Sequence, residues 1–169
     1  APTRPVTNTW RRMIAADLAA VAAIERDSHN PLPPEGAAVF ADRLATFPEG
    51  CFVAGPERGV AGYAIAHPWR LGTVPALGLA HIDIPQAPDC LWLHDVALRP
   101  ALRGRGLIPG LLARLDALAR AHALPMLALT AVHGTETLWS RHGFAAAPGN
   151  DAALAAYGAT ARVMTRPVR

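Results

Sequence analysis

The chain has 169 residues, half of them hydrophobic, a net charge of +3 and a pI near 9.5. That length implies a single domain over residues 1–169 with a proper core, and the composition excludes a disordered chain. Every apolar run is interrupted by Gly, Pro or charge, which argues against a transmembrane span. The 16 basic residues, all arginine, are too scattered to coat a nucleic acid.

The N-terminal stretch has no apolar segment after its charges and does not read as a signal peptide. Cys51 and Cys90 cannot make a disulfide framework, no CxxC is present, and no His or Cys spacing suggests a metal site. Both cysteines are expected as small buried hydrophobes. The expectation is a cytoplasmic protein with no membrane and no nucleic-acid partner.

In chain order, Trp10–Ile14 reads as a strand and Asp17–Asp27 as a helix with Leu18, Val21 and Ile24 on one face. Residues 28–34 are a Pro-rich loop. Glu35–Phe47 reads as a second amphipathic helix through Phe40, Leu44 and Phe47. Cys51–Ala54 and Val60–His67 predict an antiparallel hairpin. Trp69–Pro88 has too much Gly and Pro to assign. Leu91–Leu98 is a strand, Leu107–His122 a helix with Leu111, Leu112, Leu115 and Leu118 inward, and Met126–Val132 a strand. Thr135–His142 is a short helix stopped by Gly143, and Phe144–Ala147 and Tyr157–Arg166 are closing strands. The order β-α-α-β-β-β-α-β-α-β-β, with one parallel β-α-β crossover between antiparallel hairpins, predicts an α/β fold with a mixed sheet flanked by helices.

Between a strand and a helix lies Arg103-Gly104-Arg105-Gly106. A helix N-terminus exposes unpaired N–H groups and a positive dipole end, glycines let backbone approach a ligand, and arginines add charge. The stretch reads as an anion cradle. The absence of Lys excludes a P-loop, and the glycine spacing with no acid after the next strand argues against a dinucleotide site. Alone, it is better explained as a Gly-rich turn with solvated arginines.

It does not stand alone. Residues Val96 to Leu107 (VALRPALRGRGL) resemble the acyl-CoA signature of the GNAT superfamily of N-acetyltransferases, and Leu138-Trp139-Ser140-Arg141-His142-Gly143-Phe144 is similar to that family's Y-x-x-x-G-F element. The resemblance implies acetyl-CoA as cosubstrate. Its pyrophosphate would sit on Arg103, Gly104, Arg105, Gly106, Leu107 and Ile108, and its pantetheine arm along Val96, Ala97 and Leu98. The Leu98 N–H would then polarise the thioester carbonyl, beside a bulge that splays two parallel strands. Two residues depart from the family pattern. Ile108 stands at a small-residue position, with Pro109 after it. Trp139 stands where the family usually has a Tyr acid, and an indole N–H donates a hydrogen bond but not a proton.

Amine acetylation needs a free lone pair, so a base is useful. Strand alternation puts Trp92, His94 and Val96 on one face and Leu91, Leu93 and Asp95 on the other. His94 is thus expected at the cleft with Trp92, and Asp95 beneath it unless a bulge re-aims it. A His here is similar to the arrangement in arylalkylamine-type members, where histidines deprotonate the amine. The structural alternative is a His bonded to Asp95 or to the backbone. Trp69 and Trp92 are candidate walls of an acceptor pocket, with core packing as the alternative. His29 belongs to the Pro-rich loop, His67 and His81 are expected at the surface, His122 and His142 at helix ends, and His133 near the cofactor arm.

The reading is an acetyl-CoA-dependent N-acetyltransferase acting on a small-molecule primary amine in a ternary complex, with no metal. Its catalytic residues are His94 and Trp139; a homodimer stays open. Two alternatives stand beside it: an acyl-CoA-binding module without chemistry, and a protein N-terminal or Lys acetyltransferase. The acceptor loops are expected at His29–Pro34 and Pro148–Asp151.

Overall fold

The computed structural model describes residues 9–28, 32–56, 59–148 and 152–169. Seven strands form one sheet: β1 (Thr9–Arg12), β2 (Cys51–Gly55), β3 (Gly62–Trp69), β4 (Cys90–Leu98), β5 (Met126–Ala131), β6 (Ala145–Ala146) and β7 (Arg162–Pro167). Their order is β1-β2-β3-β4-β5-β7-β6. Only β4 and β5 run parallel, joined by helix α3 (Leu107–Ala121). The expected mixed sheet and crossover are present.

Amphipathic periodicity decides which face each helix covers. Helices α1 (Leu18–Asp27) and α2 (Ala37–Thr46) bury Val21, Ile24 and Phe40 against Val53, Tyr63 and Ile65. On the opposite face, Leu111, Leu112 and Leu115 of α3 meet Leu91, Leu93 and Leu127. Trp139 of α4 (Glu136–Arg141) and Phe144 join that layer, their rings 5.8 Å apart. No helix among the described residues is long and apolar enough to cross a membrane.

Several boundaries differ from expectation. Helix α2 starts at Ala37, because Gly36 enters it at φ 93°, and Glu35 lies in the irregular lead-in. The last strand begins at Arg162; Tyr157 precedes it in a turn after the short helix α5 (Ala152–Ala155). His67, expected at the surface, is 1% exposed in β3. Its Nδ1 meets the Pro68 carbonyl at 3.1 Å. Burial pushes its imidazole down to about 3, so it is neutral in the fold.

The unassigned stretch between β3 and β4 is irregular but tied down. The Ile82 N–H donates to Asp42 at 3.0 Å, Arg43 donates to the Leu79 carbonyl at 3.1 Å, and the Leu71 N–H donates to Asp89 at 2.8 Å. Gly and Pro forbid a regular ladder here, so side chains supply the partners that buried backbone requires.

A buried ion pair pins the C-terminal strand to α3. Arg166 of β7 donates to Asp116 at 2.5 Å, and the Arg169 N–H reaches the other carboxylate oxygen at 3.2 Å. The Arg166 guanidinium also lies 5.4 Å from the Phe144 ring centroid. Removing one member of such a pair strands the other charge in the interior. Asp116→Ala should cost about 3–5 kcal/mol in urea denaturation; a loss below about 1 kcal/mol would show that the guanidinium finds other partners.

Candidate functional site

The site begins with one extra residue in β4. Ile65 of β3 pairs with Asp95 and Ala66 with Leu93, so His94 has no partner across the ladder. A bulge of this kind bends its strand and breaks the strict alternation of faces. Leu91 and Leu93 face α3 as expected. Beyond the bulge, Val96 and Leu98 turn to the α3 face and Ala97 packs with the α1/α2 layer. Asp95 is re-aimed toward that layer and accepts a hydrogen bond from Tyr63 at 2.7 Å.

The same bend opens the sheet. Pairing between β4 and β5 stops at Leu93 and Leu129, although β4 continues to Leu98 and β5 to Ala131. The Arg99 N–H donates to Ala61, toward β3. Backbone groups alternate sides along a strand, so the N–H groups of Leu98 and Val96 point the other way, into the opening. A cleft of about 720 Å³ lies there.

Of the residues singled out from the sequence, His94, Val96, Ala97, Leu98, Arg103, Gly104, Ile108 and Trp139 all line this cleft. Arg105, Gly106 and Leu107 do not. Arg105 Nε donates to the Ala101 carbonyl at 2.9 Å. Gly106, at φ 75°, precedes α3, and Leu107 is buried with its carbonyl accepting the Trp10 indole N–H at 2.7 Å. Gly104, at φ 71°, has open space where a side chain would project. Ile108 packs partly into the α3 core, so its bulk does not all fall in the cleft. Pro109 is the third residue of α3, where the missing N–H had no intrahelical acceptor to lose.

Trp92 is a correction. It is 1% exposed and packs with Cys90, Tyr157 and Val163. Trp69 also packs against this cluster and is not a cleft wall. Both sit level with the part of the sheet where β4 and β5 are still paired or beyond, and neither lines the cleft. His29 and the other residues of 29–31 and 149–151 in the expected acceptor loops lie outside the described residues; Leu32, Pro33 and Pro34 do line the cleft. His133 lines it too, at φ 52°.

The α1/α2 side of the site holds groups absent from the residues singled out in the sequence. Glu35 places both carboxylate oxygens at His94 Nε2, at 3.0 and 3.1 Å. It also accepts the Gly78 N–H at 2.9 Å. Glu25 accepts the N–H groups of Glu35 and Gly36, each at 3.0 Å. Oxygens of Glu25, Glu35 and Asp95 all lie within 4.8 Å of one another. Burial alone would raise the Glu35 carboxyl, but the hydrogen bond and charge of His94, with Gly78 and Arg43, hold it below the usual range. Burial pushes Asp95 up to about 6 against the Tyr63 hydrogen bond and His94; Glu35 and Glu25 add to the rise. Burial and Asp95 push the Tyr63 hydroxyl upward, which keeps it a donor. One signal was present in the sequence: Glu25 lies four residues after Val21, on the buried stripe of its helix.

The two cysteines are free, buried and outside the cleft. Burial raises both thiols to about 12, so neither supplies a thiolate at neutral pH.

Residues 18–144 match the family described as acetyltransferase (GNAT). Among curated proteins no match is found. Solved structures with a similar fold include Ard1 from Thermoplasma volcanium, at 16% identity and TM-score 0.70, covering 96% of this chain and 98% of that one. The ribosomal-protein-S18-alanine N-acetyltransferase from Escherichia coli is similar at 21% identity and TM-score 0.66, over 96% and 94%. The loading GNATL domain of CurA from Lyngbya majuscula is similar at 14% and 0.73, over 96% and 98%. The family match spans well over half of the chain, and the bulged β4, the opened sheet and the Arg/Gly turn lie within it: the chain belongs to the acetyltransferase (GNAT) family.

Proposed function

We propose that this protein transfers acetyl from acetyl-CoA to the primary amine of a small molecule by direct attack in a ternary complex. The observation that carries the reading is one cleft with inward-pointing backbone N–H groups on β4 next to His94 and three carboxylates.

The pantetheine arm runs along Val96, Ala97 and Leu98, whose outer backbone edge β5 leaves unpaired. The pyrophosphate lies by Gly104 and the N-terminus of α3, with Arg103 as the exposed cation on the cleft wall. Arg105, Gly106 and Leu107 contribute through the turn's backbone, and Ile108 also through the part of its side chain on the cleft wall.

A primary amine with a pKa of about 10 arrives as an ammonium ion. Glu25 and Asp95 attract it, and His94 takes one proton. The freed lone pair attacks the thioester carbonyl carbon, and the oxyanion faces the Leu98 N–H. The C–S bond then breaks with its electron pair on sulfur. A thiol pKa of about 8.5 makes that thiolate a fair leaving group, which water can protonate. Trp139 replaces a proton donor with a hydrophobic wall and an N–H donor. The cysteine thiols are too basic and too buried for an acyl-enzyme route.

The neighbour named for a ribosomal-protein alanine supports a second reading, in which the acceptor is the N-terminal amine of a protein. Calorimetric titration with acetyl-CoA, run beside thiol release over small amines and short peptides with free α-amines, separates the cases. Release with small amines supports the proposal, and release with peptides alone moves the acceptor class. Binding without release on either set identifies an acyl-CoA-binding module.

Three further outcomes are expected. His94→Ala should lower kcat by about 100-fold or more near neutrality. The deficit should narrow as the pH approaches the amine's own pKa, with acetyl-CoA affinity near wild type; an unchanged pH–rate profile removes His94 from the mechanism. Arg103→Ala should weaken acetyl-CoA binding about fivefold, the scale of one exposed ion contact of ~1 kcal/mol. That loss should be larger at low salt, and equal affinities at low salt would argue against the assignment. Asp95 attracts an ammonium ion only as its carboxylate, which is lost as the pH falls through about 6. The amine KM should therefore rise below that pH in wild type and stay flat in Asp95→Asn.

A further inference from the structure

His94 is the bulge residue of β4, so no ladder partner fixes its backbone position. Its side chain is nevertheless only 2% exposed. What orients it is Glu35, with both oxygens at Nε2 and a side chain 6% exposed. Glu35 is itself held from two sides. Its backbone N–H and that of Gly36 are bonded to Glu25 of α1, and its carboxylate takes the Gly78 N–H from the β3–β4 connection. A carboxylate at Nε2 accepts only, so the neutral ring must carry its proton there. Nδ1 then holds the lone pair; it is buried and makes no hydrogen bond to a described residue.

We infer that Glu35 is the positioning residue of the acid–base step: it holds the His94 ring through Nε2 and reserves Nδ1 for the substrate's proton. The inference rests on His94 as base. A polar side chamber of about 60 Å³, lined by Glu35, His94, Asp95 and Thr130, shares the last three with the main cleft. That is room for more than one water, enough to pass a proton to a nitrogen the amine does not touch. One proton leaves the ammonium group and arrives at Nδ1, and the resulting imidazolium faces the Glu35 carboxylate. The other titratable groups around the ring are Asp95 of β4, Glu25 of α1, His67 and Tyr63 of β3 and Tyr157 before β7; Arg43 of α2 acts on Glu35.

The test pairs a substrate-free readout with kinetics. In ¹⁵N-histidine-labelled full-length protein, long-range NMR correlations should place the neutral His94 proton on Nε2. In Glu35→Gln the amide can donate as well as accept, so the Nδ1–H tautomer should become populated. With the fastest amine of the panel, that variant should lose about tenfold or more in kcat, as orienting partners generally cost. Its acid limb should move to lower pH, because a negative charge beside the imidazolium is gone. The KM for acetyl-CoA should not change. A wild-type proton on Nδ1 overturns the inference, and this spectrum decides even if Glu35→Gln fails to fold. A variant with wild-type kcat, acid limb and tautomer also overturns it, as does one that merely melts earlier. His94→Gln separates the two layers: a wild-type pH profile there overturns the base assignment itself, whereas an inactive His94→Gln beside a normal Glu35→Gln removes Glu35 alone.

Discussion

One inserted residue governs this molecule. The extra position at His94 lets β4 bend away from β5 after Leu93, and three consequences come from that bend. The sheet opens into a cleft, the backbone edge of residues 96–98 loses its strand partner, and two adjacent side chains, His94 and Asp95, reach the same side. An unpaired strand edge inside a protein is a liability unless something completes it. Here the opened edge lies beside a helix N-terminus and an Arg/Gly turn, which is the combination an extended, anionic acyl carrier fits.

Holding charged side chains near that opening needs compensation, because a buried carboxylate or imidazole without partners is costly. Glu25 caps two backbone N–H groups in the lead-in to α2, Glu35 joins His94 to the β3–β4 connection, and Tyr63 serves Asp95. The same bonds that satisfy these groups also tether α1, α2 and the irregular 70–89 segment to the sheet. Asp42 and Arg43 extend that tether through Ile82 and Leu79. This side of the site is therefore built from loop and helix-end residues whose positions depend on one another.

The two departures from the family pattern become intelligible in the packing. Ile108 divides its side chain between the α3 core and the cleft wall, and Pro109 occupies a helical position with no intrahelical acceptor for an N–H. Trp139 stacks edge-on against Phe144 in the core and shows a face to the cleft. It closes part of the cleft wall.

Local pattern alone specified much of this protein. Helical stripes such as Leu111, Leu112 and Leu115, the antiparallel pairing of β2 with β3 and the Arg/Gly turn before α3 are legible because each depends on neighbours within a few residues. The alternation rule also placed His94 toward the cleft, though for an incomplete reason. It put Trp92 in the cleft, although β4 and β5 are still paired there, and it could place Asp95 only by allowing for a bulge, which leaves no mark in hydrophobicity. Glu35 was absorbed into a helix that in fact begins two residues later, so its role as a lead-in group was hidden. Its contact with His94 spans 59 positions, as the one between Tyr63 and Asp95 spans 32. The sequence by itself determined the main elements, their order and the Arg/Gly turn before α3, all short-range properties. Only the tertiary structure decided which acid meets which base, because that depends on how three separate segments close over one bent strand.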